Sequence, residues 1–196
     1  MPRVPFLLLL ALASTLLAGC ADYSLVKPER VRIGQLSVSP TIAWNKIDAR
    51  SALSRQVWTN ASPLLDQLTL WGGVRDGELL DSWETGVADK QPFQPFKAGM
   101  GPTELRELIE ATVARRLDGR DFTLLSSAPA PFAGASGLRF EYTFLLANGV
   151  KMSGLAVAAT RDGQLHGVNF VAPSLYYFEA YRPEVERIIS GGAVGT

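Results

Sequence analysis

One cysteine, one histidine and a scatter of serines and carboxylates are what this 196-residue chain offers for chemistry. A serine nucleophile needs a base positioned beside it. Ser126, Ser127, Ser136 and Ser153 qualify by type, but none sits in the Gly-x-Ser-x-Gly elbow that presents a serine at the end of a strand. His166 could titrate near neutrality. It alternates with Val168 and Phe170, however, and reads as a partly buried structural residue on a strand. One histidine and one cysteine do not make a zinc ligand set, so no metal and no cofactor is expected. Asp76, Glu78, Asp81 and Glu84 lie loosely near a turn without the spacing of a calcium loop, and read as solvated surface. Gly72-Gly73 is too short to be a phosphate or dinucleotide turn. Trp44, Trp58, Trp71 and Trp83 could form an aromatic platform for a glycan or a partner. Large aromatics usually end up mostly buried, so core is the expectation.

The cysteine stands apart. It closes the series Leu17-Ala18-Gly19-Cys20, which follows Arg3 and an apolar run from Phe6 to Leu17. This is the layout of a secretory signal peptide. The run is shorter than the roughly twenty residues that span a hydrocarbon core of about 30 Å, so cleavage is favoured over a membrane-spanning helix. The series resembles the lipobox of bacterial lipoproteins; the plain alternative is an ordinary signal peptide with Cys20 as a bystander. The resemblance implies cleavage between Gly19 and Cys20, with acyl chains on Cys20 holding the protein to a membrane. Residues 1–19 would then be the signal peptide, 20–30 a lipidated tether and 31–196 a single domain. Ala21 after the acylated cysteine implies transfer to the outer membrane of a bacterial envelope, facing the periplasm.

Charge and cysteine usage narrow the partners. The chain has 19 basic and 19 acidic residues, and without Arg3 the balance becomes 18 against 19. Such neutrality leaves no electrostatic footprint for nucleic acid. With the only thiol assigned to lipid, there is no disulfide framework and no cysteine nucleophile.

The elements that must position these residues are mostly strands. Val31-Arg32-Ile33 and Leu36-Ser37-Val38 are strand-like, and Thr41 to Ile47 reads as a further strand or extended segment. Gln56 to Thr59 and Leu64 to Trp71 form a hairpin around Asn60-Ala61-Ser62, and Asp76-Gly77 marks a turn. Gly86 to Pro102 reads as a long surface connection. Leu105, Leu108, Ile109, Thr112, Val113 and Leu117 recur at helical spacing, which predicts a helix over Thr103 to Leu117 with Arg115 and Arg116 on its solvated face near the C-terminus. Leu138, Phe140, Tyr142, Phe144 and Leu146 alternate as on a strand with one apolar face. Asn148-Gly149 and Asp162-Gly163 are two-residue hairpin signals leading to strands over Lys151 to Thr160 and Gln164 to Val171. Gly154, Ala156, Ala158 and Ala159 leave room for something to pack closely. Ser174 caps a helical turn through Tyr181, and Pro183 opens another to Ile189.

In order and spacing the chain resembles the PsbP-like lipoproteins of proteobacteria, related in fold to the photosystem II protein PsbP and to bacterial DcrB. The likeness runs over about Val31 to Ser190. It rests on the helix before the meander, the Gly137-to-Thr160 hairpin, the Asp162-Gly163-Gln164-Leu165 turn, Leu175-Tyr176-Tyr177-Phe178 with Ile188-Ile189-Ser190, and the Trp58-Thr59 and Trp71-Gly72-Gly73 segments. It implies an α+β fold, an antiparallel sheet flanked by helices on both faces, in a PsbP-like α/β/α sandwich. Accessory and binding roles are the expectation: a lipid-anchored envelope protein with a non-enzymatic binding or scaffolding domain and a possible envelope protein partner. The alternative is a small envelope enzyme acting on a cell-wall or lipid substrate, which would need polar side chains converging around His166 or a serine.

Overall fold

The computed structural model describes residues 23–81 and 92–195. Gly19, Cys20 and Ala21, and with them the cleavage and lipid-attachment site, lie outside the described residues, as do Trp83 and Glu84. In chain order the strands are β1 (Tyr23–Val26), β2 (Val31–Ile33), β3 (Leu36–Val38), β4 (Trp44–Ile47), β5 (Arg55–Thr59) and β6 (Gln67–Val74). A helix, α1 (Pro102–Leu117), precedes β7 (Arg120–Phe132), β8 (Ala135–Leu145), β9 (Lys151–Arg161) and β10 (Gln164–Pro173). The helix α2 (Tyr177–Ser190) and the short β11 (Ala193–Val194) close the fold.

Eight strands form one antiparallel sheet in the order β1-β4-β5-β6-β10-β9-β8-β7, and β11-β3-β2 make a second, three-stranded sheet. The chain leaves β6 at the centre, runs through α1, re-enters at the far edge as β7, and returns by hairpins until β10 pairs with β6. Two apolar clusters result. One gathers Trp44, Trp58, Leu155, Val168 and Phe170 with Ile33, Leu36 and Val38 of the small sheet and Phe178, Val185 and Ile188 of α2. The other gathers Trp71, Phe140, Tyr142 and Phe144 with Leu105, Leu108, Ile109 and Val113 of α1 and Leu80 and Phe96 of the 75–101 connection.

The helix-flanked α/β/α sandwich expected from the resemblance is therefore corrected. The described residues hold two helices against eleven strands. Among the described residues no continuous helical layer covers the large sheet: α2 shares one cluster with the small sheet, and α1 shares the other with Leu80 and Phe96. The small residues of β9 are part of the reason. A side chain at Gly154 would meet the Tyr142 ring at 2.2 Å, so the space is filled by the neighbouring strand's own aromatic. The other reason is β7, whose thirteen residues carry Pro129 and Pro131 and are almost wholly exposed. Such a strand has no alternation to read, and prolines belong at a sheet edge, where β7 lies.

Local outcomes follow their turn chemistry. Asp162 and Gly163 both adopt positive φ, as a two-residue hairpin turn demands. At Asn148-Gly149 only Gly149 does. Leu146 bonds to Val150 instead, which gives a longer loop with the glycine at its left-handed position. Helix α1 starts at Pro102, with the Glu104 carboxylate accepting the Gly101 N–H at 2.7 Å. The two helical turns expected around Pro183 are one helix, α2, with the proline inside it. Glu184, buried in α2, pins that helix by accepting the N–H and hydroxyl of Thr41.

Candidate functional site

The second sheet crosses the first at backbone contact. A Cβ on Gly72 would lie 1.7 Å from the Ile33 carbonyl oxygen, and one on Gly34 would lie 2.2 Å from that of Gly72. Only glycine fits such an approach. Gly34 also needs its positive φ of 53° to turn β2 into β3. The Gln35 N–H seals the crossing on the Gly72 carbonyl at 2.9 Å, and the Gly72 N–H reaches the Ser54 carbonyl at 2.8 Å. Gly72-Gly73, too short to be a phosphate turn, is thus the seat of a sheet-on-sheet contact.

Beside this crossing opens a cleft of about 730 Å³, lined by Arg32, Gln35, Ser54, Gln56, Arg75, Glu78 and Gln164 together with Gly34, Gly72, Gly73, Ala52 and Leu53. Several of its polar groups hold one another. Gln35 donates to Gln164 at 3.1 Å, Arg32 Nε to the Gly34 carbonyl at 2.8 Å, and Glu78 accepts the Arg75 N–H at 2.9 Å. Two arginines face one carboxylate there, so the lining favours an acidic or hydrogen-bonding guest. Leu53, 88% exposed, stands on the rim.

His166 lies close by but is not in the wall. It is 1% exposed, with its Cε1 at 3.6 Å from where a Cβ on Gly73 would be. Burial pushes its pKa below the ordinary value, and Arg161 pushes the same way against Asp162. Neither ring nitrogen has a hydrogen-bond partner among the described residues. The histidine is more deeply buried than its sequence context suggested. The serines do not gather around it: Ser126, Ser127 and Ser136 are exposed on β7 and β8, and Ser153 bonds Ser174 at 2.8 Å. Trp44, Trp58 and Trp71 are buried, in line with the core expectation. Among the described residues no group of three or more His, Cys, Asp or Glu side chains could hold a metal.

Two charges read as solvated prove to be interior. Asp81 is 1% exposed, while Asp76 and Glu78 of the same run are exposed. Arg116, 5% exposed, sets Nη1 at 3.0 Å from the Thr69 hydroxyl and 3.5 Å from Asp81. Arg55 approaches Asp81 from the other side at 4.0 Å. Next to them the buried Tyr142 hydroxyl donates to Asn169 Oδ1 at 2.8 Å, and burial raises the phenol's pKa. A signal for Arg116 existed: it falls four residues after Thr112 and seven after Ile109, on their own stripe.

No protein-family model and no curated protein sequence matches the chain. In structure it is similar to the cyanobacterial PsbP (CyanoP) of Synechocystis sp. PCC 6803. The TM-score is 0.54 at 13% identity over 91% of this chain and 95% of that one. A Bacteroides thetaiotaomicron structure (TM-score 0.47, 10% identity, 87% of this chain and 50% of that one) is similar to a lesser degree. So is the Pseudomonas aeruginosa protein of unknown function PA94 (TM-score 0.41, 13% identity, 85% and 95%). The fold is PsbP-like.

Proposed function

We propose that this is a lipid-anchored protein of the bacterial cell envelope, held through acyl chains on Cys20 at the outer membrane and facing the periplasm. Its domain works by binding an envelope partner rather than by catalysis. The cleft beside the Gly34–Gly72 crossing carries this reading. Its lining offers two guanidinium groups, three side-chain amides and a hydroxyl, which suits recognition of an acidic, hydrogen-bonding surface. The lining has a serine, Ser54, but no base beside it, and its one carboxylate is engaged on the Arg75 N–H. The Leu17-Ala18-Gly19-Cys20 series supports the anchor. Multiple acyl chains hold a protein stably where one does not.

The test is a crosslinking pulldown of the anchored protein from its native envelope, with the wild type beside an Arg32→Glu/Arg75→Glu variant. A partner captured by the wild type and lost on charge reversal supports cleft recognition. The same partner captured equally by both, or none by either, overturns it.

A further inference from the structure

The register of the large sheet fixes which end of the molecule lies nearest Cys20. β1 begins at Tyr23, three residues on, and pairs with β4 so that Tyr23 faces Ile47. Ser24 Oγ donates to Asp48 at 2.9 Å, which ties that start to the turn following β4. Asn45 and Lys46 pair with Thr59 and Trp58, so β5 runs past the level of Tyr23 and Ile47, as far as Arg55. The turn before Arg55 carries Ala52, Leu53 and Ser54, three of the residues that line the cleft. Tyr23 and the cleft therefore share one end of the sheet. Leu64 stands at the other, ahead of Gln67, where β6 begins; the length of β6 separates the two ends by about 23 Å.

Three residues of extended chain reach at most about 11 Å. With Cys20 acylated, the membrane surface passes within that reach of Tyr23, on the cleft's side of the molecule. The chemistry of that end suits such a neighbour. Leu53 is 88% exposed on its turn, and Tyr23 is exposed as well. Arg32 and Arg75 are exposed and make no ion pair among the described residues. Three carboxylates of the same end are already balanced: Asp48 by Lys46 at 2.9 Å, Asp162 by Arg161 at 3.6 Å and Asp76 by Lys97 at 3.9 Å. Against the two cleft arginines stands Glu78 alone, which accepts the Arg75 N–H, so the lining keeps an excess of positive charge. A bare leucine beside uncommitted guanidinium groups is equipped for the headgroup layer of a bilayer. The leucine reaches the acyl boundary, and the guanidinium forks pair with phosphate oxygens.

We infer that the cleft end docks on the bilayer that carries the anchor, with Leu53 in the headgroup layer and Arg32 and Arg75 paired to the phosphates of acidic phospholipids. This rests on the Cys20 anchor of the proposed function, and it names the acidic surface that the cleft receives.

The experiment uses the acylated protein purified from its membrane, with its acyl chains verified by mass, and reconstituted in vesicles. Cys20 is the chain's only cysteine, so Leu53→Cys or Leu64→Cys supplies a single free thiol for a nitrobenzoxadiazole label. Quenching by a phospholipid with a nitroxide just below its headgroup is read in phosphatidylcholine and in an equal mixture with phosphatidylglycerol. In the mixture, quenching at position 53 should be at least three-fold that at position 64. Arg32→Glu/Arg75→Glu, or removal of phosphatidylglycerol, should lower it at least two-fold. Equal quenching at the two positions, or quenching at position 53 indifferent to phosphatidylglycerol or to the charge reversal, overturns the docking. A mature protein without acyl chains overturns the anchor and this inference together. An acylated protein whose cleft captures a protein in the pulldown, with both labels equally quenched, overturns this inference alone.

Discussion

Replacing Gly72 by alanine should displace the small sheet from the large one. The added Cβ would sit 1.7 Å from the Ile33 carbonyl oxygen and 2.7 Å from its carbon. Ordinary contacts begin near 3.5 Å, so the β2–β3 turn must retreat by about 1.5–2 Å. That retreat breaks the Gln35-to-Gly72 hydrogen bond, worth about 1 kcal/mol net. It also disturbs Ile33 and Leu36, both fully buried beneath the turn; overpacking of this kind costs about 1–3 kcal/mol. A combined loss of about 2–4 kcal/mol lowers the melting temperature of a domain this size by about 4–16 °C. Thermal melts by circular dichroism measure it. Gly99→Ala, where an added Cβ meets nothing within 4 Å, is the control and should shift melting by no more than about 2 °C. Melting of Gly72→Ala indistinguishable from Gly99→Ala would refute the backbone crossing.

Adjacent arginines on α1 should differ sharply. Arg116→Ala removes the arginine 3.5 Å from the buried Asp81 and should cost about 2–4 kcal/mol in urea unfolding, whereas Arg115→Ala loses a contact over the Phe93 ring and should cost under about 1 kcal/mol. Leu108→Ala, from a residue 2% exposed, should cost about 2–5 kcal/mol by the same assay. Because the folded-state pKa of His166 is depressed, the unfolded chain binds the proton more readily, so its neutral burial weakens the fold as pH falls below about 6.5. Melting between pH 7.5 and 5.5 should therefore fall less steeply for His166→Leu than for the wild type. Cys20→Ala should abolish palmitate labelling and membrane retention; normal retention would contradict the anchor.

Periodic signals were legible in the chain, and contact-dependent ones were not. The stripe of α1, the alternation of β8 and the turn at Asp162-Gly163 are local properties, and the chain displays them. The α/β/α layering failed because a run of small residues records only that something packs closely. At Gly154 that something is a ring on the next strand. β7 escaped notice because an exposed edge strand with prolines carries neither period. The cleft escaped as well: Arg32, Arg75 and Gln164 meet only after β3 crosses β6, and the glycines that permit it look like ordinary turn residues. Asp81 and Arg116 read as solvent-facing because sequence does not reveal a buried ion pair formed between residues thirty-five apart.

Binding through the cleft is tested most directly by site-specific photo-crosslinking in the native envelope. A photoreactive residue at Leu53, on the cleft rim, is compared with one at Leu175, equally exposed at 88% and outside the cleft lining. A discrete crosslinked product at Leu53, absent at Leu175 and lost when Arg32 and Arg75 are replaced by glutamate, is the predicted result. Crosslinks identical from both positions, or a Leu53 product unaffected by the two charge reversals, would contradict it.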